Sequence, residues 1–300
     1  MKALEDLVRP EMPAERLGSL RVLIGLFALV YCVARAPALA SVSRLSERAF
    51  APGGPVRLLD APLSPDLVWL LLGATIAAGG LFVAGYAFRV VGPVFAALLL
   101  WVTSYRNSFG MIFHTENLFV LHVVLLGLSP AADAVAWGRP ATGETSRSYG
   151  AAVVRLSLLT TLAYVLAGVA KLRVSGEHWL GGEILVNHIA HDNLRKLLLG
   201  DGYSVIGGFL VAHPWVFKPL AWLTVVFELG APLALLSTRL AKVICGGLWL
   251  FHFGVLLVMW ILFPYPLLGL AFASFFRAEE VLAWVRRRVP KVLFFLREKA

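Results

Sequence analysis

What most constrains this chain is the recurrence of apolar runs about as long as a bilayer is thick. Residues 20–39, 67–88, 151–172 and 241–263 are built mainly of Leu, Val, Ala, Phe and Gly, with charge at isolated positions only. A helix of ~20 mostly apolar residues crosses the hydrocarbon layer. Of the 300 residues, 59% are hydrophobic and 15% charged, where a soluble domain carries about a quarter charged. The shortage extends along the whole chain, which describes an integral membrane protein and not a soluble domain with one anchor. The sequence predicts an all-α, polytopic bundle of about seven to nine membrane helices with interfacial helices. No polar stretch is long enough for a separate soluble domain.

The net charge is +9, but the basic residues gather at helix ends and in "RRRVPKVLFFLREK", residues 286–299. Attraction to anionic lipid heads and the positive-inside rule account for them, and nucleic acid is not an expected partner. The two cysteines, Cys32 and Cys245, sit inside apolar runs and read as small packing residues. "ALAS" at 38–41 offers an Ala-x-Ala cleavage pattern. Glu5, Asp6, Glu11 and Glu15 precede it, however, and the apolar run is nearer to spanning length, so a retained first span is expected.

Three regions follow. Residues 1–18 form an amphipathic lead-in, 19–276 a transmembrane domain, and 277–300 a basic amphipathic tail. Within the domain, spans are expected at about 20–39, 67–88, 93–105, from Asn117 to "SPAADA", 151–172, 215–237 and 241–263. Residues 173–214, rich in Gly, His and charge, read as interfacial or re-entrant. Seven Lys and Arg after residue 276 favour a cytoplasmic C-terminus. The expected location is a multi-pass protein of a bacterial inner or plasma membrane, with the lipid bilayer as its partner.

In hydrocarbon an ionisable side chain is paired, wet, or at the edge. The residues that read as too deep are Arg106, His114, Glu116, Lys171, Glu228 and His252. Lys171 lies about 30 Å along a helix begun at Ala151, at ~1.5 Å per residue, near the far end of its span. It is either a snorkelling end charge or a desolvated amine able to act as a base. Its context, "AGVAKL", gives a small-residue face on Gly168 that lets a helix or a flat ligand approach.

The segment "SYRNSFGMIFHTENLFVLH" carries more Arg, Asn, His and Glu than capping alone needs. His114 and His122 are two turns apart, too far to share a metal. In "NHIAHDNLRK" the spacing of His188, His191 and Asp192 permits ligands, but without a matching cluster it reads as a wet amphipathic helix, and no metal is expected. Glu228 lies mid-span and calls for a proton or a cation, so contacts with Lys171 or His252 are both open.

The stretches "SYRNSFGMIFHTENLFVLHVVLLGLSPAADA", "YVLAGVAKLRVSGEHWLGGEILVNHIAHDNLRK", "FELGAPLALL" and "FHFGVLLVMWILFPYPLLGLAF" together resemble the HTTM proteins, whose membrane domain is similar to that of vitamin K-dependent γ-carboxylase. The resemblance covers about residues 15–276. It implies that Lys171 matches the lysine that takes a proton from vitamin K hydroquinone. Oxygenation then gives a strong base that removes the γ-proton of a peptide glutamate, and CO2 adds. His114 and Asn117 correspond loosely to the family's Asn-His before the fourth span. Arg106, Glu228 and His252 join them as candidates for binding substrate or cofactor.

Two departures stand out: the carboxylase's "KKL" is "AKL" here, and the sequence ends before a C-terminal substrate-binding domain. The expectation is an enzyme using vitamin K hydroquinone or another quinol, acting on a peptide or small molecule. The alternatives are a non-catalytic quinone- or lipid-binding scaffold and, third, a transporter. A transporter calls for broken helices in two corresponding halves.

Overall fold

The computed structural model describes residue 5 and residues 7–110, 114–139 and 143–288. It is helical almost throughout, and the chain forms two compact units. Unit 1 comprises 1–156 with 277–300, and unit 2 comprises 157–276.

Unit 1 opens on a two-residue strand, β1 (Met12–Pro13), paired antiparallel with β2 (Thr145–Ser146). The first long helix, α1 (Ala14–Ser41), contains Pro37. Short 3-10 turns lead to α2 (Pro65–Ala84), which has clear start and stop signals. Ser64 accepts from the Leu67 backbone N–H, Pro65 opens the first turn, and Gly85 ends it at φ 70°. Next comes α3 (Phe88–Arg106), which begins five residues before the expected start and carries Pro93 within it. The shorter α4 (His114–Gly127) has 14 residues.

These helices pack through their smallest residues, as helices in lipid do. A Cβ on Gly92 of α3 would lie 2.6 Å from the Gly127 carbonyl oxygen of α4, and one on Gly127 2.5 Å from the Gly92 oxygen. Gly25 of α1 lies against the Phe82 ring of α2 in the same way. Arg21 of α1 is fully buried; its Nη2 donates to the Val135 carbonyl at 2.5 Å, and the guanidinium lies over the Phe88 ring.

A 34-residue helix, α5 (Arg147–Leu180), starts in unit 1 and continues into unit 2. It breaks at Gly176, whose φ of 51° and ψ of −122° suit glycine alone. Unit 2 continues with α6 (Glu183–Leu198), α7 (Val205–Val211), α8 (Phe217–Leu229), α9 (Thr238–Met259) and the short α10 (Pro264–Leu267). The chain returns to unit 1 as α11 (Ala278–Arg288). There Arg16 of α1 forks onto Glu279, Nε to Oε2 at 3.0 Å and Nη2 to Oε1 at 2.8 Å.

The all-α membrane bundle is as expected. Among the described residues α1, α2, α3, α5 and α9 are long and apolar enough to cross a membrane, and the α7–α8 region adds a sixth span if its 98° bend is counted as one broken crossing. α4 is apolar but shorter than a span, so five to six crossings stand among the described residues where about seven to nine membrane helices were expected. The expected span at 215–237 is cut short because α8 stops at Gly230 and passes into a 3-10 turn.

Candidate active site

One face of α5 organises unit 2. Ser157, Thr160, Tyr164, Gly168 and Lys171 recur at offsets of three and four, so they line a single stripe. Ser157 Oγ donates to Ser274 Oγ at 2.9 Å, and Thr160 Oγ1 donates to the Ala271 carbonyl at 2.9 Å. The Tyr164 hydroxyl meets His252 Nε2 at 2.8 Å, and its ring stacks on Phe272. The stripe therefore becomes a hydrogen-bonded seam against α9 and the turn after α10.

At Gly168 the seam reaches α8. A Cβ there would lie 2.9 Å from Leu229 Cδ2 and 3.2 Å from Glu228 Cβ. The missing side chain brings the two backbones together one turn before Lys171. Lys171 Nζ then donates to both carboxylate oxygens of Glu228, at 2.5 and 2.7 Å. The Glu228 side chain is 2% exposed and that of Lys171 18%. Two rings face the amine: Trp179 with its centroid at 5.2 Å, and Phe251 of α9 at 5.8 Å. Trp179 lies beyond the break at Gly176, and that break turns the chain so that the indole covers the amine. The environment is one carboxylate and two aromatic faces, which suits a cation held at the edge of an apolar interior.

Phe251 also lines a cavity of about 280 Å³ formed by α6, α8 and α9. Its walls include Ile189, Thr224, Phe227, Leu250 and Val255, and the Thr224 hydroxyl donates to the Ala221 carbonyl of its own helix at 2.8 Å. Gly247 lets α9 come close to α8, since a Cβ there would lie 2.1 Å from the Phe227 ring.

A second polar cluster lies in unit 1. Arg106, the last residue of α3, donates through Nη1 to Glu116 Oε1 at 3.0 Å. The Tyr31 hydroxyl of α1 donates to the same oxygen. Asn117 is exposed beside them, and His114 opens α4 with a side chain that lies outside the described residues.

The six candidates thus fall into two groups. Lys171, Glu228 and His252 lie in unit 2, and Arg106, His114 and Asn117 in unit 1. Of the two contacts left open for Glu228, the one with Lys171 forms, while His252 is engaged by Tyr164. Asp192 pairs with Arg195 at 3.0 Å and with Lys196 at 2.7 Å. Among the described residues no group of three His, Cys, Asp or Glu is placed to hold a metal ion.

Residues 9–280 match the model of the HTTM domain, nearly the whole chain. The chain belongs to the HTTM family. No curated protein and no solved structure matches it. It is a multi-pass membrane protein of that family, with apolar helices that fit a lipid bilayer.

Both ends of the Lys171–Glu228 pair stand out in the HTTM sequence as deep ionisable residues, but the neutral groups that meet Glu116, His252 and Lys171 do not. Tyr31, Tyr164 and Trp179 pass as aromatic packing in an apolar helix. One signal was available: Tyr164 precedes Lys171 by seven residues, two turns along the same face.

Proposed function

We propose that this HTTM protein is a quinol-dependent membrane enzyme of the carboxylase type, with Lys171 and Glu228 acting together as its proton acceptor. The observation that carries this is the bidentate grip of a buried carboxylate on an amine roofed by Trp179 and Phe251. A site that accepts protons inside a membrane needs that combination of partial burial and a fixed partner.

The chain's residues fit a quinol by chemistry. The cavity beside Phe251, at about 280 Å³, is near the lower end of ligand sites, ~300–1,000 Å³. Aliphatic and aromatic walls match a quinone ring or a prenyl chain. Phe227, Leu250, Phe251 and Val255 would hold the apolar body. When bound, a quinol supplies an ionisable hydroxyl and reducing equivalents for dioxygen. The acceptor of the carboxyl group is a peptide or a small molecule.

The rest is done by the pair itself. One proton is shared between Nζ and the Glu228 carboxylate. Whether it rests on nitrogen or on oxygen, taking a second leaves an ammonium beside a carboxylic acid, a gain of one positive charge. The aromatic faces of Trp179 and Phe251 stabilise that charge where water is scarce. Neither residue does this alone, since a lone buried ion is costly in a low-dielectric setting.

A second reading has its own support. A lysine and a glutamate that satisfy each other also tie two helices together in lipid, as in a non-catalytic quinone- or lipid-binding scaffold. Oxygen consumption by purified protein given reduced vitamin K separates the two. Under the enzyme reading Lys171→Ala and Glu228→Gln abolish uptake while insertion and extraction stay normal. Under the scaffold reading no uptake is seen with wild-type protein, and Lys171→Arg changes nothing.

A further inference from the structure

Residues 177–181 make a single turn of chain between two glycines of positive φ, Gly176 at 51° and Gly182 at 89°. The turn is closed on itself. The Gly181 N–H donates to the Glu177 carbonyl at 2.7 Å, and the Gly182 N–H to that of Trp179 at 3.0 Å. It is therefore built to move as one piece, with any change of φ and ψ taken up at its ends. The two glycines differ in their surroundings. A Cβ on Gly182 would lie 2.7 Å from the backbone of Phe217 and Lys218, so that end is pinned to α8. A Cβ on Gly176 would meet nothing within 4 Å. Packing asks for no glycine there; only the backbone angles do.

Little holds the turn down. On its inner side the Trp179 ring lies over Lys171 Nζ at 5.2 Å. On its outer side His178 Nδ1 meets Glu183 Oε2 at 2.7 Å, with the two side chains 64% and 66% exposed. An ion pair so wet contributes little. Glu177 and His178 are exposed, as are Arg173 and Val174 before the break, so an outward swing meets no other part of the described chain. The closed position also carries a penalty of its own. Trp179 Nε1 is buried and has no hydrogen-bond partner among the described residues, and wetting the indole would relieve it.

We propose that residues 177–181 are a lid over Lys171, hinged at Gly176 and Gly182. The Trp179 indole limits access to the amine when the lid is down, and an outward swing uncovers it. The structure holds the closed position. The lid governs access whether the Lys171–Glu228 pair accepts protons for a reaction or only ties two helices together.

Access is read as the rate at which acetic anhydride acetylates Lys171 in nanodiscs, followed by mass spectrometry against the exposed Lys218 of the same protein. Gly176→Ala puts a side chain on backbone angles that L residues avoid, which disfavours the closed turn. It should speed acetylation of Lys171 about fivefold or more. Trp179→Ala removes the cover and should speed it at least as much, and the double variant should be no faster than Trp179→Ala. Hydrogen exchange over 157–170 checks the fold and should match wild type throughout. Lys171 of the wild type reacting as fast as Lys218 overturns the proposal, and that comparison needs no variant to fold. An unchanged rate in Gly176→Ala or in Trp179→Ala overturns it too, since a fixed cover does not depend on the hinge and an idle indole covers nothing. So does a rise in Gly176→Ala that comes with lost protection over 157–170, which would make Gly176 a support of the fold and not a hinge. Oxygen uptake has no part in the readout, so an inactive protein would count against the enzyme reading and leave the lid standing.

Discussion

At the scale of single residues, the Lys171–Glu228 contact is strong in geometry and modest as a source of stability. Taking two charges out of water costs several kcal/mol per ion, and a good contact returns about that much. Removing one partner strands the other. Glu228 is the more buried of the two, so Lys171→Met leaves the worse orphan. A full buried pair loses about 3–5 kcal/mol on such a deletion. With 18% of the Lys171 side chain exposed, the loss here is expected toward about 2–3 kcal/mol. The double variant Lys171→Met with Glu228→Leu removes both charges and should recover most of the thermal stability of the wild type. Under the enzyme reading proposed above, its oxygen uptake would stay lost. Melting temperatures of the two single variants and the double, in one detergent, measure this. A double variant no more stable than Lys171→Met would show that the contact is not the unit it is taken to be.

At the scale of elements, α11 shows how a surface ion pair ties the end of the chain to its beginning. Glu279 receives the Arg16 fork in the acidic first turn of a helix that ends on three arginines. Partial burial alone would raise its pKa, but the hydrogen bonds and charge of Arg16 outweigh that and hold it below the usual glutamate range. A carboxylate lowered on folding stabilises the docked state above its unfolded pKa, and the contribution fades as pH falls through the lowered value. Protection of 278–288 in hydrogen exchange, corrected for the intrinsic rate, should therefore drop as pH goes below the ordinary glutamate range. Glu279→Gln should show weak protection with no such step. Protection that is independent of pH in the wild type would place the anchoring of α11 in its apolar face alone.

The elements also show what the sequence could and could not convey. Length and hydropathy located α1, α2, α5 and α9, because a spanning helix must be continuous and apolar whatever surrounds it. The end of α8 at Gly230 and the 98° bend before it were not legible as a broken span. Both depend on how neighbouring helices take up backbone groups that a straight helix would satisfy itself. The site divides in the same way. Lys171 and Glu228 stood out as deep charges, and Gly168 as the small residue beside Lys171, since each is anomalous in an apolar run. Trp179 did not stand out, because it reaches the amine only through the break at Gly176, and a glycine near a helix end is also an ordinary stop signal. The joining of Tyr31 with Arg106 and Glu116 was equally hidden, because it depends on how α1, α3 and α4 pack and not on spacing along any one of them.

At the scale of the whole molecule, the distribution of charge bears on which way the chain sits in the membrane. Seven of the 27 Lys and Arg follow residue 276, a density that the positive-inside rule assigns to the cytoplasmic side. Other loops are more evenly loaded, so the tail dominates the balance. The chain lends itself to a direct measurement, because its two native thiols, Cys32 and Cys245, are both buried. A cysteine placed at the exposed Val281 of α11 gives a single accessible reporter in the Val281→Cys variant. A membrane-impermeant maleimide should leave it unmodified in intact cells and label it in inside-out vesicles, with wild-type protein silent in both. Labelling from outside intact cells would put α11 on the outer side and reverse the orientation, despite the basic tail.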